Sequence, residues 1–243
     1  MSQVKLDYEI SIPLHVQLKK IIEKEVTSGK LTGQIPSERD YMDYYNVSRS
    51  TVREAINLLV REGVLEKRHG KGTFVRLKPI HDWLGNLTST TDIIKQMGMK
   101  PGAKLITHKR LTPSEYVQQK TGFREAYFIK RLRYADYQPI GIEYHYYPVE
   151  IGLELITYDL NDATLYEIEQ NELGIWFAEA SQTIGSDFLS EPDASSLQIS
   201  PQTSVLSAER IIKGQKGDII ELEKGFYRSD MFNFQINMSR KFG

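Results

Sequence analysis

Two arginine patterns carry most of the chemistry in this 243-residue chain. Arg49, Arg53 and Asn57 recur every four residues, so on a helix they share one outward face. A guanidinium on such a face can donate bidentately to guanine O6 and N7 in a DNA major groove. Arg131 and Arg133 stand two apart in the alternating stretch 126–135 (AYFIKRLRYA). As a strand, that stretch puts both on one face with Tyr127 and Ile129. The guanidinium fork fits the oxygens of a phosphate or of a carboxylate, so the pair reads as an anion clamp. Glu143 on 140–147, and Glu221, Glu223 and Tyr227 on one face of 219–228, add carboxylates and a phenol. These suit hydroxyl or amino groups of the same small molecule.

Charge must permit both readings. The net value is -1, from 31 Lys+Arg against 32 Asp+Glu, which taken alone argues against a nucleic-acid partner. The average hides an asymmetry: residues 1–78 hold 14 basic against 10 acidic side chains, and residues 48–78 hold 8 against 3. That local excess can meet phosphate. With 40% hydrophobic and 26% charged residues the composition is that of a globular protein. The absence of cysteine excludes disulfides and thiolate chemistry. No apolar run approaches the roughly 18 residues of a membrane span, and the start MSQVKLDYE lacks a signal-peptide core, so a cytoplasmic location is expected. No cofactor or metal motif is present.

The elements that would position these residues follow from local pattern. Pro13 opens a helix with Leu14, Leu18, Ile21 and Val26 on its apolar face, with Gly29 as its stop. Ser37 and Asp40 form a capping box for a short second helix ending near Tyr45. Ser48 caps a third, stapled by Val47 and Val52 and ended by Gly63, with Val52, Ala55, Ile56 and Leu59 inward. Two short strands, 64–67 and 73–76, flank the turn Arg68-His69-Gly70-Lys71-Gly72. Three helices followed by a basic hairpin make a winged helix-turn-helix over 1–78. Residues 79–89 show no period and read as a linker. From 90 to 243 strands are expected at 104–110, 126–135, 139–147, 175–185, 204–213, 218–228 and 231–239. Helices are expected near 92–97, 113–120, 164–172 and 191–198. Short turns such as Asp136-Tyr137-Gln138-Pro139 imply an antiparallel sheet in an α+β domain.

Three stretches in register, Pro36-Ser37-Glu38-Arg39, Ser48-Arg49-Ser50-Thr51-Val52-Arg53-Glu54-Ala55 and Gly70-Lys71-Gly72-Thr73-Phe74-Val75, resemble the DNA-binding domain of GntR-family transcription regulators. The DNA-facing set is then Ser37, Glu38, Arg39, Ser48, Arg49, Ser50, Thr51, Arg53, His69, Gly70, Lys71 and Gly72. Arg49 and Arg53 are the base readers, Ser and Thr at the helix start meet phosphate, and the wing approaches the minor groove. Arg39 has a second reading, a pair with a carboxylate on its own helix. One such helix reads few base pairs, so two copies on a pseudo-palindromic operator are expected, with the second domain carrying most of the homodimer contact.

The second half resembles the effector-binding UTRA domain of the HutC branch of that family, which shares the chorismate lyase fold. The matching residues are Arg131-Leu132-Arg133-Tyr134-Ala135-Asp136, Pro139-Ile140-Gly141-Ile142-Glu143, Tyr147-Pro148, Leu165-Tyr166 and Tyr227-Arg228-Ser229-Asp230. Ser229 stands where the family's turn has glycine, and Thr164 where serine is commoner. The resemblance implies effector contacts from Ser89, Thr90, Thr91, Arg131, Arg133 and Thr164, with Glu143, Glu221 and Tyr227 facing the rest of the ligand. The expected function is a repressor controlled by a small anion. An amino-sugar phosphate or other sugar phosphate comes first and a carboxylate metabolite second. Two rival classes are an enzyme, using His108 or His145 for acid-base work, and an effector-free structural DNA binder.

Overall fold

A computed structural model describes residues 6–8, 10–27, 30–31, 33–76, 80–83 and 87–236. Gly29, the Lys78-Pro79 junction and residues 237–239 of the last expected strand lie outside the described residues. The chain divides into two compact units, Met1–Lys78 and, apart from the turn Asp136–Gln138, Pro79–Gly243.

In the first unit, helices α1 (Leu14–Thr27), α2 (Glu38–Tyr45) and α3 (Arg49–Arg61) precede the hairpin β1 (Leu65–Arg68) and β2 (Gly72–Val75). The capping box at Ser37 and Asp40 is complete, and Ser48 Oγ accepts from the Thr51 amide. The 3.6-residue period turns Val52, Ala55, Ile56 and Leu59 onto Leu18 and Ile22 of α1 in one buried cluster. Removing such side chains costs about 2–5 kcal/mol each, so this packing fixes how α3 is presented.

The second unit is built on a six-stranded sheet in the order β4-β5-β6-β9-β8-β7. Its strands are β4 (Pro101–Leu111), β5 (Ala126–Ala135), β6 (Gln138–Tyr147), β7 (Phe177–Asp187), β8 (Val205–Gly214) and β9 (Ile219–Arg228). Asp136 and Tyr137 join β5 to β6 with φ of 46° and 66°, the left-handed pair that a two-residue hairpin turn requires. Helices α4 (Thr90–Gln96), α5 (Glu115–Thr121), α6 (Val149–Leu155), α7 (Leu165–Glu167), continued by a π turn at Ile168–Glu172, and α8 (Glu191–Ser196) complete the unit. The α+β fold with its antiparallel sheet is as expected.

Two features depart from the sequence reading. The linker over 79–89 is corrected at its centre, because Ile80–Trp83 forms strand β3, paired in parallel with β10 (Phe232–Gln235). Ile80 is fully buried, so this stretch belongs to the packing of the second unit. Helix α6 is the second departure; it lies directly on β5, where a Cβ at Gly152 would stand 2.1 Å from Tyr127 Cβ.

Candidate functional site

On the first unit, the side chains of Arg49 and Arg53 are 71% and 58% exposed. Both reach Glu38, with Nε–O separations of 3.2 and 4.0 Å. One carboxylate on α2 therefore aims two guanidinium groups on α3. Such exposed pairs are worth about 0–1 kcal/mol, weak enough for a nucleic acid to displace. Asn57, half-buried further along the same helix, accepts from Lys67 Nζ at 2.8 Å and ties α3 to the wing. Arg39 is 89% exposed and pairs with Asp43 on its own helix at 3.8 Å, the second of its two readings. The hydroxyls of Ser48, Ser50 and Thr51 cluster within 2.9 Å of one another through Ser48 Oγ.

The wing is held from outside itself. Gln34 Nε2 donates to the Lys71 carbonyl at 2.9 Å, and a Cβ at Gly72 would fall 2.7 Å from that same nitrogen. Gly72, at φ 112°, is needed for this grip as well as for the turn. His69, Gly70 and Lys71 are exposed at the tip.

The second unit holds a pocket of about 300 Å³, solvent at its mouth included. Of the expected effector residues, Ser89, Thr90, Thr91, Arg131, Arg133, Glu143 and Thr164 line it. Glu221 and Tyr227 do not; they stand behind the lining and orient it. Tyr227 Oη donates to Glu143 at 3.2 Å, and Glu221 lies 2.6 Å from His145 Nδ1. The Tyr227 ring reaches Glu143 by lying flat over Gly141 and Gly225, where any Cβ would come within 2.5 Å of it. Sequence reasoning missed His145, Tyr166 and Arg210 as pocket residues, while Glu223, read with Glu221 and Tyr227 as facing the small molecule, does line it. The signal was strand phase: Arg210 shares parity with buried Ala208 and Ile212, and His145 with Glu143.

Strand register assembles the charged floor. His145 faces Glu223 across β6 and β9, Glu223 faces Arg210 across β9 and β8, and Arg210 faces Gln182 across β8 and β7. Arg133 donates to Thr91 Oγ1 at 2.6 Å with its Nε 3.6 Å from Glu143, Thr90 donates to Glu143 at 2.7 Å, and Arg131 donates to the Ala163 carbonyl at 2.7 Å. Ser89 caps α4 through the Asp92 amide.

These contacts decide the charges. Burial pulls the His145 imidazole down, but its bonds to Glu143 and Glu221 and the charges of Glu221 and Glu223 outweigh burial and raise it to about 10. It is a cation at neutral pH. Burial would raise Glu143, yet Arg133, His145 and Arg131 hold it well below the carboxylate range. Glu223 is pushed up to about 7 by burial and by Glu143 and Glu221, against Arg210 and His145. Burial and the charge of Arg133 push Arg131 down to about 10, which leaves it charged. The lining thus sets four cations, Arg131, Arg133, Arg210 and His145, against two carboxyls, Glu143 and Glu223, one of which is half-titrated at neutral pH. Three buried donors of that set, Arg131 Nε, Arg133 Nε and His145 Nε2, have no hydrogen-bond acceptor among the described residues. Arg133 Nε and His145 Nε2 have only the Glu143 carboxylate, at 3.6 and 3.5 Å, and a buried charged donor so poorly satisfied is costly, so the arrangement can take up an anion. Among the described residues no cluster of side chains could hold a metal ion, and no helix is long and apolar enough to cross a membrane.

Comparison with known proteins agrees with both halves. Residues 15–75 match the gntR family of bacterial regulatory proteins, and residues 96–233 match the UTRA domain. The chain is 30% identical over 242 residues to the HTH-type transcriptional repressor NagR of Bacillus subtilis, covering 98% of this chain and 99% of that one. It is 25% identical to the probable fructoselysine utilization operon transcriptional repressor of Escherichia coli, covering 85% and 86% of the two chains. Among solved structures it is similar to PhnF from Mycobacterium smegmatis, with a TM-score of 0.63, 25% identity and coverage of 92% and 99%. These relatives are transcription regulators, and the enzyme reading falls. A winged helix-turn-helix followed by a UTRA domain is what the matches describe, and the chain belongs to the gntR family of DNA-binding bacterial regulators.

Proposed function

We propose that the protein is a cytoplasmic repressor that binds a pseudo-palindromic operator as a homodimer and is controlled by a phosphorylated sugar or amino sugar held in the UTRA pocket. The observation that carries the effector class is the excess of buried cations over carboxyls around three donors without acceptors. The lining stays positive even with both carboxyls ionised, which suits a phosphate dianion better than a carboxylate monoanion. Ser89, Thr90 and Thr91 supply hydroxyls beside the arginines, while Glu143, Glu223 and Tyr166 remain for hydroxyl or amino groups. The repressor relative of the fructoselysine operon supports a sugar-linked metabolite.

On DNA, Arg49 and Arg53 read bases, Ser37, Arg39, Ser48, Ser50 and Thr51 meet phosphates, and the His69-to-Gly72 turn enters the minor groove. Glu38 acts through the two arginines it orients. The ligand controls the operator by binding one arrangement of the DNA-binding units better than another, since equal affinity for both shifts nothing.

A thermal-shift panel of sugar phosphates, amino-sugar phosphates, free sugars and carboxylate metabolites tests the effector class. A ligand at 100 times its Kd stabilises by about 2.7 kcal/mol. Stabilisation by a phosphate ester that fails on Arg131→Ala supports the reading. Stabilisation by carboxylates alone moves the assignment to that class, and no response to any anion sinks it. A monomer in sedimentation at micromolar concentration would overturn the dimer.

A further inference from the structure

We propose that Arg210 is a positioning residue that carries anion binding from the pocket to the chain segment leading into α4. This rests on the reading of the pocket as an anion site. Arg210 lies in the row Gln182, Arg210, Glu223 and His145 that crosses four strands. Its Nε donates to Gln182 Oε1 at 2.6 Å, a short bond that anchors the guanidinium to β7. Its Nη1 serves three acceptors: Tyr166 Oη at 3.1 Å, the Thr88 carbonyl at 3.3 Å and Glu223 Oε2 at 3.8 Å. An Nη group has two protons, and the bonds to Tyr166 and Thr88 use both, so an incoming acceptor must displace one of them.

Tyr166 and Glu223 line the pocket, and Thr88 does not. Thr88 immediately precedes the Ser89 cap of α4 and stands ten residues along the chain from Lys78, where the first unit ends. A phosphate drawn in by Arg131 and Arg133 offers Nη1 an ionised acceptor, and with it the attraction of opposite charges, which a neutral carbonyl lacks. The Thr88 carbonyl, held at the longer of its two hydrogen bonds, is the partner given up. The hydroxyls of Ser89, Thr90 and Thr91 turn to the same anion, so tether release and ligand contact fall on four consecutive residues. Linkage then requires that removing the tether and binding the ligand bias the protein in one direction.

The test uses the full chain, an operator selected from a randomised duplex pool, and glucosamine 6-phosphate as the probe. Arg210→Lys keeps a cation beside Glu223 while losing the fork that spans Gln182, Tyr166 and Thr88. Without ligand, this variant is expected to shift operator affinity about tenfold in the direction that the probe shifts the wild type, within the usual 5–150-fold range of coupling. Saturating probe should move it less than twofold further, although calorimetry still detects binding. Probe binding with an undiminished operator response in Arg210→Lys would overturn the proposal. Amide hydrogen exchange separates this failure from a wrong effector class. Arg210→Lys should exchange at least tenfold faster than wild type at Asp92 and Ile93, whose amides bond to Ser89, without any ligand, and unchanged exchange there would refute the tether even if the probe does not bind the wild type. Should Arg210→Lys fail to fold, Gln182→Ala, which frees Nε instead, must reproduce the faster exchange.

Discussion

Replacing Arg133 by methionine separates what this side chain does for the fold from what it does for the ligand. Arg133 is almost completely buried, holds Thr91 Oγ1 at 2.6 Å and stands 3.6 Å from Glu143. Breaking a buried pair by removing one partner costs about 3–5 kcal/mol. Glu143 keeps Thr90 at 2.7 Å, Tyr227 at 3.2 Å and the His145 cation at 3.5 Å, so the low end, about 3 kcal/mol, applies. For a unit of this size that corresponds to a fall in Tm of roughly 6–12 °C. Adding Glu143→Gln removes the stranded charge and should recover most of that loss. It should not recover the ligand: losing charged hydrogen bonds to a phosphate costs about 1.5–3 kcal/mol, or roughly 10- to 150-fold in Kd for glucosamine 6-phosphate. Thermal melts and calorimetry on the two variants check both limbs. A double variant that binds the probe as tightly as the wild type would refute the assignment of Arg133 to the ligand. An Arg133→Met protein that melts with the wild type would refute the coupling to Glu143.

Four further outcomes follow from the same geometry. The fold holds the His145 proton to about 10 against an ordinary 6.5, and the Glu223 proton to about 7 against 4.5. Both raised values contribute stability that is present below the ordinary pKa and lost as pH climbs through the folded one, so Tm should fall from pH 7 to 10 and His145→Gln should flatten that fall. An anion entering beside Glu223 raises it further, so calorimetry in buffers of different ionisation enthalpy should show proton uptake on binding near pH 7.5, with affinity falling above it. Arg53→Ala should cost about 1–3 kcal/mol of operator affinity and relax specificity at one base pair, read by anisotropy titration against single-base variants. Gly225→Ala puts a Cβ 2.5 Å from the Tyr227 ring, which must swing away from Glu143; about 1–3 kcal/mol of stability should be lost in melts, with weaker ligand binding.

Much of this was legible because local chemistry and tertiary packing agree. The caps at Ser37 and Ser48 are decided by hydroxyls and amides three residues apart, and both helices start where those residues predict. Arg131 and Arg133 were readable as a pair because a strand fixes side-chain phase regardless of what lies opposite. What escaped depends on partners distant in sequence. Strand β3 is four residues long and pairs with a segment about 150 positions later, so its own pattern carries no period. Helix α6 is signalled by no side-chain cap and is permitted by one glycine that fits Tyr127. Arg210 and His145 gain their meaning from register across β6, β9 and β8, which no single strand contains.

The same register says how the proposed site would select a dianion. Three of the four pocket cations already have an internal competitor: Glu143 for Arg133, Glu143 and Glu221 for His145, and Glu223 for Arg210. A ligand must offer more than these carboxyls do, so the net gain is a difference between two strong interactions. A carboxylate monoanion replaces like with like and gains little from the exchange. A phosphate dianion brings a second charge and a third oxygen, and it meets donors on Arg131, Arg133 and His145 that the carboxyls leave without acceptors. If this balance sets specificity, Glu143→Gln should tighten carboxylate binding more than phosphate binding, because it removes the competitor that a monoanion cannot outbid. Competition between gluconate, a sugar-acid monoanion, and glucosamine 6-phosphate on that variant measures the ratio, and an unchanged ratio would show that the internal carboxyls orient the site without discriminating between anions.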